Sequence, residues 1–250
     1  MKRMTSLFFL LMLLSAIVVG SYCGYVCMRQ NSGAVLSALL AGFTSLNPYT
    51  VVYAGTDSDK DCRQAYLFLK DNTGVCLIDD PADSRYNPID NVVYLTHAAF
   101  MENSAEAAHE YGHALDRCLY GEKTGYYSRQ AAFAQAYAAD CAEMRNTFQA
   151  QELFETEAYR NLAVSDILFA VFYDDSVTTK ILTASYDTAG VPYWRHETEY
   201  MAGLQERQTE VFADIFTIFL SDDAPAKQFV QTYLPLSTEE VLGMVRNRSW

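Results

Sequence analysis

The sequence HEYGH at residues 109–113 has the composition and spacing of a metal-binding motif. On a helix, residues four positions apart lie on one face about one turn apart, so His109 and His113 can bind the same ion. Two imidazoles at this spacing are typical ligands of tetrahedral Zn²⁺, and a carboxylate directly after the first can act on a zinc-bound water without being a ligand. We therefore predict that His109 and His113 bind zinc and that Glu110 is a general base.

A catalytic zinc site normally has a third protein ligand, and a downstream helix offers one. The extended motif HExxHxxGxxH is absent, because Asp116 and Leu119 occupy the positions of its Gly and its third His. Residues 205–221 have helical apolar spacing, and Glu210 and Asp214 lie four apart on one face of that helix. We predict that Glu210 is the third ligand and that Asp214 accepts an N–H from a ligand imidazole. The competing ligands are Glu197, Glu199 and Glu206.

The residues before the motif predict a small β-sheet and one helix. Strands are expected at residues 49–53, 75–78 and 91–95, which are rich in β-branched and aromatic side chains. Residues 58–70 have the apolar spacing of an amphipathic helix, and residues 79–90, with two prolines, are expected to form a loop. This order places a short sheet directly before the metal-binding helix.

The helix that carries HEYGH is predicted to begin after Asn103 or Ser104 and to end at Gly121. The strand at residues 91–95 runs just before it, and an exposed edge strand there could bind an extended peptide by β-augmentation. The alternative is that this strand is an ordinary core strand. Asp116, near the end of the helix, is expected to form a salt bridge or to support a ligand.

Residues 125–195 form a predicted helical insertion between the two motif helices. Residues 125–160 are rich in Ala, Gln and Glu and predict two helices, and the apolar run at 162–172 predicts a third. Residues 173–195 contain a glycine and a proline and are expected to be less regular. The insertion could form a lid or a specificity subdomain over the site, or it could be structural packing around the motif helices.

The amino-terminal residues predict that the chain is exported. Lys2 and Arg3 precede residues 5–28, which carry no charge and are long enough to cross a bilayer as a helix. We interpret residues 1–30 as a signal anchor or a cleaved signal peptide, and residues 31–250 as the exported domain. The protein is therefore expected at the cell membrane with its domain outside the cytoplasm, or secreted if the segment is cleaved.

The composition suits one globular domain and excludes nucleic acid as a partner. The 250 residues are half hydrophobic, and their 18 Lys and Arg against 31 Asp and Glu give a net charge of −13 that repels phosphate backbones. Four cysteines follow the apolar run and permit two disulfides in three pairings, of which Cys62–Cys76 and Cys118–Cys141 are the most local. Buried free thiols are the alternative.

HEYGHALD and TEVFADIF together resemble the motifs of the anthrax lethal factor catalytic domain and of the clostridial Pro-Pro endopeptidases, which are gluzincin-type zinc peptidases. The resemblance covers two motifs and implies a zincin-like fold in which His109, His113 and Glu210 are the zinc ligands. It also implies that Glu110 is the base and that Asp214 contacts a ligand residue without binding zinc itself.

The chain departs from the pattern of these families in two respects. They carry a transition-state tyrosine seven residues before the ligand Glu, where this chain has Gly203; Tyr200 or Tyr193 could substitute for it. The two motifs are also separated by about twice the usual gap. Within that gap, SDI at residues 165–167 and YW at residues 193–194 are similar to a looser set of phage-associated and Firmicute metallopeptidase sequences.

The predicted fold is therefore α+β, with a small N-terminal β-sheet, the HExxH helix and a mostly helical C-terminal part, preceded by an N-terminal membrane helix. The expected function is a zinc-dependent endopeptidase that acts on extracytoplasmic proteins or peptides. One alternative is a non-catalytic peptidase-fold module that binds a partner at the cell surface. Another is a structural protein whose two His are accidental. Bound zinc and a requirement for Glu110 would distinguish the three.

Overall fold

The computed structural model of the protein describes residues 51–78, 84–102, 104–120 and 125–250. The predicted signal segment at residues 1–30 lies outside them. No helix in the described ranges is both long enough and apolar enough to span a bilayer. The described part is mostly helical with one three-stranded sheet, so the α+β prediction is confirmed at this level.

The sheet consists of β1 (Gly74–Ile78), β2 (Arg85–Asn87) and β3 (Val92–Thr96) in the order β1-β3-β2. β3 pairs in parallel with β1 and antiparallel with β2. Alternate side chains of β3 are buried, which is the pattern of a strand with one face on the core. The strands predicted at 75–78 and 91–95 are confirmed to within a residue or two.

Two predictions about the strands are wrong. The edge strand predicted at 91–95 is instead the central strand β3, which is hydrogen-bonded on both sides and closed to a further strand. The edge next to it is β2, which lies in the predicted loop 79–90. In the predicted strand 49–53, the described residues form only one bridge, between Tyr53 and Ser221.

Two helices of the N-terminal half begin directly after residues whose side chains cap them. Helix α1 (Lys60–Asn72) begins at Asp59, whose carboxylate accepts two backbone N–H groups of the first turn. The short helix α2 (His97–Glu102) follows β3 directly. Helix α3 (Ala105–Tyr120) carries HEYGH and begins after Ser104, whose Oγ accepts the N–H of Ala107 at 3.3 Å. Its predicted end at Gly121 lies outside the described residues.

The C-terminal part is helical and packs around one central helix, α9. It begins with a 3₁₀ turn at Tyr127–Arg129, and a second turn lies at Glu157–Arg160. Helix α9 carries the second motif and is buried from Gln208 to Leu220, which fits its packing against α1, α3 and α6. The helices are α4 (Ala131–Thr147), α5 (Ala150–Glu155), α6 (Leu162–Val171), α7 (Ser176–Ala189), α8 (Thr198–Met201), α9 (Leu204–Leu220), α10 (Ala224–Tyr233) and α11 (Pro235–Arg246).

The insertion is more regular than predicted. Helices α4, α5 and α6 confirm the helical prediction for 125–172, but α7 occupies most of the segment expected to be irregular. Asp175 caps the start of α7 by accepting the N–H groups of Val177 and Thr178, and Gly190 ends it with φ of +64°. The four described cysteines are free thiols, so neither of the two local disulfides that the spacing permits is present.

Candidate metal centre

Helices α3 and α9 cross at a glycine, which brings the two motifs together. A Cβ at Gly112 would lie 2.8 Å from the Cα of Ala213, so only glycine allows this approach of the two backbones. Gly112 precedes the second His of HEYGH, and Ala213 lies between Glu210 and the end of the second motif. The close crossing therefore places the acidic face of α9 directly against the imidazoles of α3.

The three predicted ligands converge on one point. One carboxylate oxygen of Glu210, Oε2, lies 3.0 Å from His109 Nε2 and 3.3 Å from His113 Nε2. The ligand atoms of all three residues lie within 4.8 Å of one another, and they form a group that could hold a metal ion. With ligand bonds of about 2.0–2.2 Å, neighbouring ligands of a tetrahedral ion are about 3.3 Å apart, so these spacings already suit an ion. The competing carboxylates Glu197, Glu199 and Glu206 are not in the group.

Asp214 orients the first imidazole in the predicted way. Its Oδ1 lies 3.0 Å from His109 Nδ1, one helical turn beyond Glu210. With Nδ1–H donated to this carboxylate, the lone pair at His109 Nε2 points towards Glu210, which is the arrangement of a metal-binding imidazole. His113 has a buried Nδ1 without a hydrogen-bond partner among the described residues, so its Nε2 is the atom that faces the site.

The carboxylates and imidazoles of the site shift one another's pKa values. Burial by itself lowers the pKa of His109, but the carboxylates of Asp214 and Glu210 raise it well above its ordinary value. Burial by itself raises the pKa of Glu210, and the adjacent His113 and His109 hold it well below its ordinary value. Glu210 is therefore ionised, and a cation between it and the two imidazoles would find a charged ligand already in place.

Glu110 lies at the wall of the same cleft without joining the ligand group. It is 7% exposed and accepts a hydrogen bond from the backbone N–H of Tyr86 in β2. Burial raises the pKa of Glu110, and the nearby His113 and His109 oppose that rise. A carboxylate with a raised pKa beside two potential ligands is suited to accept a proton and later return it.

The cleft has a volume of about 270 Å³, and its lining includes residues of β2 and of α9. Two cationic side chains, Arg85 and Arg129, lie at its wall. The residues around the ligands and Glu110 are Ser84, Arg85, Tyr86, Tyr126, Arg129, His196, Tyr200 and Thr209.

No family model, curated protein or solved structure matches this chain.

Of the two tyrosines considered for the transition state, only Tyr200 lies in the cleft. Its hydroxyl donates to Glu210 Oε1 at 2.6 Å. Burial, together with the charge of Glu210, raises the pKa of Tyr200, so this hydroxyl stays protonated and able to donate. Tyr193 instead packs against Phe169 and Tyr186, with ring centroids 5.6 and 5.1 Å away.

The sequence reasoning missed one histidine of the cleft and its partner. His196 Nδ1 lies 2.9 Å from Oδ1 of Asp166, a fully buried residue of α6, and its Nε2 lies 3.7 Å from Glu210 Oε2. Burial lowers the pKa of His196, but Asp166 outweighs it and raises the pKa to about 9. Two features of the sequence could have indicated this pair. One is the similarity carried by residues 165–167 and 193–194, and the other is that the chain has only four His.

Asp116 does not have the predicted role. Its carboxylate is fully buried and accepts hydrogen bonds from the backbone N–H and the hydroxyl of Ser128, at 2.7 and 2.6 Å. It therefore anchors the 3₁₀ turn after α3 instead of forming a salt bridge or contacting a ligand. Ser128 Oγ in turn lies 3.3 Å from Thr209 Oγ1 on α9, which ties the turn to both motif helices.

Proposed function

We propose that the protein is a zinc-dependent endopeptidase with a zincin-like fold, in which His109, His113 and Glu210 hold the ion. The observation that supports this most is the convergence of two imidazole Nε2 atoms on one Glu210 oxygen, at 3.0 and 3.3 Å, at the floor of an open cleft. Two imidazoles and one carboxylate form the ligand set of a catalytic zinc with an open position. The resemblance of the two motifs to the lethal-factor type of gluzincin points to the same reaction.

Glu110 is the general base of the proposed reaction. When bound, zinc supplies a Lewis acid that lowers the pKa of water to about 7. Glu110 accepts a proton from the attacking water as the new C–O bond forms at the scissile carbonyl. It then passes the proton to the leaving nitrogen as the C–N bond breaks, which yields an amine and a carboxylic acid; the remaining water proton then leaves the acid and is taken up by the amine. Its buried position beside Tyr86 keeps this proton from bulk solvent.

The edge strand β2 borders the cleft in which the substrate is proposed to bind. Tyr86 of β2 and the preceding Ser84 line this cleft next to Glu110. The backbone N–H of Ser84 is donated to the carboxylate of Glu106 at 3.1 Å and that of Tyr86 to Glu110, so α3 occupies the edge of β2 that faces away from β3. β-Augmentation is therefore proposed neither at residues 91–95 nor at residues 85–87.

The proposed setting is outside the cytoplasm, with residues 1–30 as a signal anchor or a cleaved signal peptide. The substrates would then be extracytoplasmic proteins or peptides. The alternative of a non-catalytic binding module is less well supported, because such a module has no need of a buried carboxylate at the position of Glu110.

The test compares the full-length wild type with Glu110→Gln, and uses Glu143→Gln on the exposed side of α4 as the matched control. Metal content is measured by elemental analysis, and cleavage is measured on a degenerate peptide library. We expect one zinc per chain in all three proteins. Turnover should fall by roughly 10²–10⁴ in Glu110→Gln only, the usual contribution of a general base. Wild type that binds zinc and cleaves nothing would favour the binding module, and wild type without zinc would refute the zinc peptidase.

A further inference from the structure

His196 is held in the same way as the proposed ligand His109. In each ring, Nδ1 faces a buried aspartate, at 3.0 Å from Asp214 for His109 and at 2.9 Å from Asp166 for His196. In each ring, Nε2 faces Glu210 Oε2, at 3.0 Å for His109 and 3.7 Å for His196. The fold therefore fixes a third imidazole towards the metal group, from an element that the two motifs do not include.

The position of His196 differs from that of the ligands in exposure. The His196 side chain is 37% exposed, against 7% for His109 and 13% for His113. It lies between α7 and α8 and forms part of the cleft wall. Its Nε2 therefore borders the space that a substrate must occupy, whereas the ligand atoms lie on the floor beneath it.

The segment that carries His196 is anchored to α6 at two points. Asp166 is fully buried and contacts the imidazole, while Ser165 accepts the backbone N–H of Trp194 through its Oγ at 2.8 Å. The indole of Trp194 packs edge-on against His109, with ring centroids 5.4 Å apart. These contacts orient the imidazole before any substrate binds, which is what a group that stabilises developing charge requires.

Both ring nitrogens of His196 face carboxylate oxygens, so the surroundings favour a ring that donates at both positions. Nδ1–H is donated to Asp166. The Nε2 end of the ring borders the cleft, where the carbonyl oxygen of a substrate could accept its N–H. Tyr200 lies beside it, with ring centroids 5.3 Å apart, and its hydroxyl points to the same carboxylate.

We propose that His196 is a catalytic residue that donates Nε2–H to the oxyanion formed at the scissile carbonyl, and that Asp166 is its positioning residue. This inference rests on the proposed peptidase function. As the water oxygen bonds to the carbonyl carbon, the π electron pair moves to the carbonyl oxygen, which accepts the hydrogen bond. When the C–N bond breaks, the pair returns and the hydrogen bond weakens. His196 thus occupies the role that the resemblance gives to a tyrosine at the position of Gly203.

The experiment measures kcat, KM and zinc content for the full-length zinc protein with the best-cleaved peptide from the degenerate library. The variants are His196→Ala, Asp166→Asn and their combination, with His97→Ala on α2 as the matched control. We expect His196→Ala to lower kcat by roughly 10²–10³, the usual contribution of one oxyanion donor, with one zinc retained and KM changed only a few-fold. His97→Ala should retain the wild-type kcat.

The positioning role of Asp166 is tested separately, by comparing kcat in the single and double variants. Asp166→Asn should lower kcat roughly tenfold, and adding it to His196→Ala should cause no further loss, because Asp166 acts through the ring that is already gone. The visible absorption spectrum of the Co²⁺-substituted protein should be the same in wild type and His196→Ala, since His196 is not a ligand.

Three outcomes overturn the proposal while leaving the peptidase function intact. They are an unchanged kcat in His196→Ala, loss of the single zinc from that variant, and two zinc ions in wild type with one in His196→Ala. The last would assign Asp166, His196 and Glu210 to a second metal ion. A wild type that cleaves no peptide of the library refutes the peptidase function itself, and this proposal with it.

Discussion

Replacing Gly112 by alanine tests whether the crossing of α3 and α9 builds the site. The added Cβ would lie 2.8 Å from the Cα of Ala213 and 3.0 Å from both its Cβ and its carbonyl oxygen. Carbon atoms in contact prefer about 3.5–4.0 Å, so the helices must separate by roughly 0.7–1.2 Å. Overpacking of this kind costs about 1–3 kcal/mol of the free energy of unfolding.

Gly243 on α11 provides the matched control, because a Cβ there meets no atom within 4 Å. Both substitutions gain the same helix propensity, about 1 kcal/mol in favour of alanine. The difference between the two variants in urea unfolding therefore isolates the steric cost. We expect Gly243→Ala to be slightly more stable than wild type and Gly112→Ala to be about 1–3 kcal/mol less stable than Gly243→Ala.

The same substitution should weaken metal binding. Distances in a metal site are held to about ±0.2 Å, and the required separation of α3 from α9 exceeds this several-fold. We expect the zinc affinity of Gly112→Ala, measured by competition with a chelator, to fall at least about tenfold. Adding Ala213→Gly should not restore it, because the new methyl group still lies 2.8 Å from the backbone of α9 at that position. Equal stability and equal zinc affinity in Gly112→Ala and Gly243→Ala would refute the described crossing.

Further predictions concern the carboxylates of the site and the buried carboxylate of Asp116. Glu210→Ala should lose most of its zinc affinity, and the zinc affinity of Asp214→Ala should fall only about 10–100-fold. Glu206→Ala should keep both its zinc and its activity. Elemental analysis and competition with a chelator distinguish the three variants. Burial raises the pKa of Asp116 from 3.8 to about 6, so folding favours its protonated form. The resulting stability is complete below pH 3.8 and lost as the pH rises through 6. The free energy of unfolding of wild type relative to Asp116→Asn should therefore fall by up to about 3 kcal/mol between about pH 4 and 7 in urea titrations. A flat difference would contradict this.

The metal group was predictable because it depends on helical spacing. The four-residue intervals that join His109 to His113 and Glu210 to Asp214 fix which side chains share a face, and one close crossing brings the two faces together. The run of β-branched and aromatic residues likewise predicted β3. It did not reveal the order of the sheet, because β2 has only three residues and its pairing is a tertiary property.

Other features of the structure were only weakly indicated by the sequence, or depend on contacts between residues far apart in it. The dyad of Asp166 and His196 joins residues 30 positions apart, and no periodicity relates a helix to a distant loop. Helix α7 was missed although Asp175 and Gly190 mark its ends, because its apolar spacing is imperfect and both Val177 and Ile181 are exposed. The sequence offered both Tyr200 and Tyr193 as substitutes for the tyrosine missing at Gly203, and only the tertiary structure shows that Tyr200 reaches Glu210.

The burial of α9 from Gln208 to Leu220 has a consequence for the dynamics of the protein. Segments that open readily are those with exposed backbone and few buried contacts, whereas a helix with thirteen successive buried residues opens only with a large part of the domain. Glu210 and Asp214 therefore keep their geometry for the lifetime of the folded state. The motions that admit a peptide and release its fragments are left to the exposed rim, where β2 and the segment around His196 and Tyr200 face solvent.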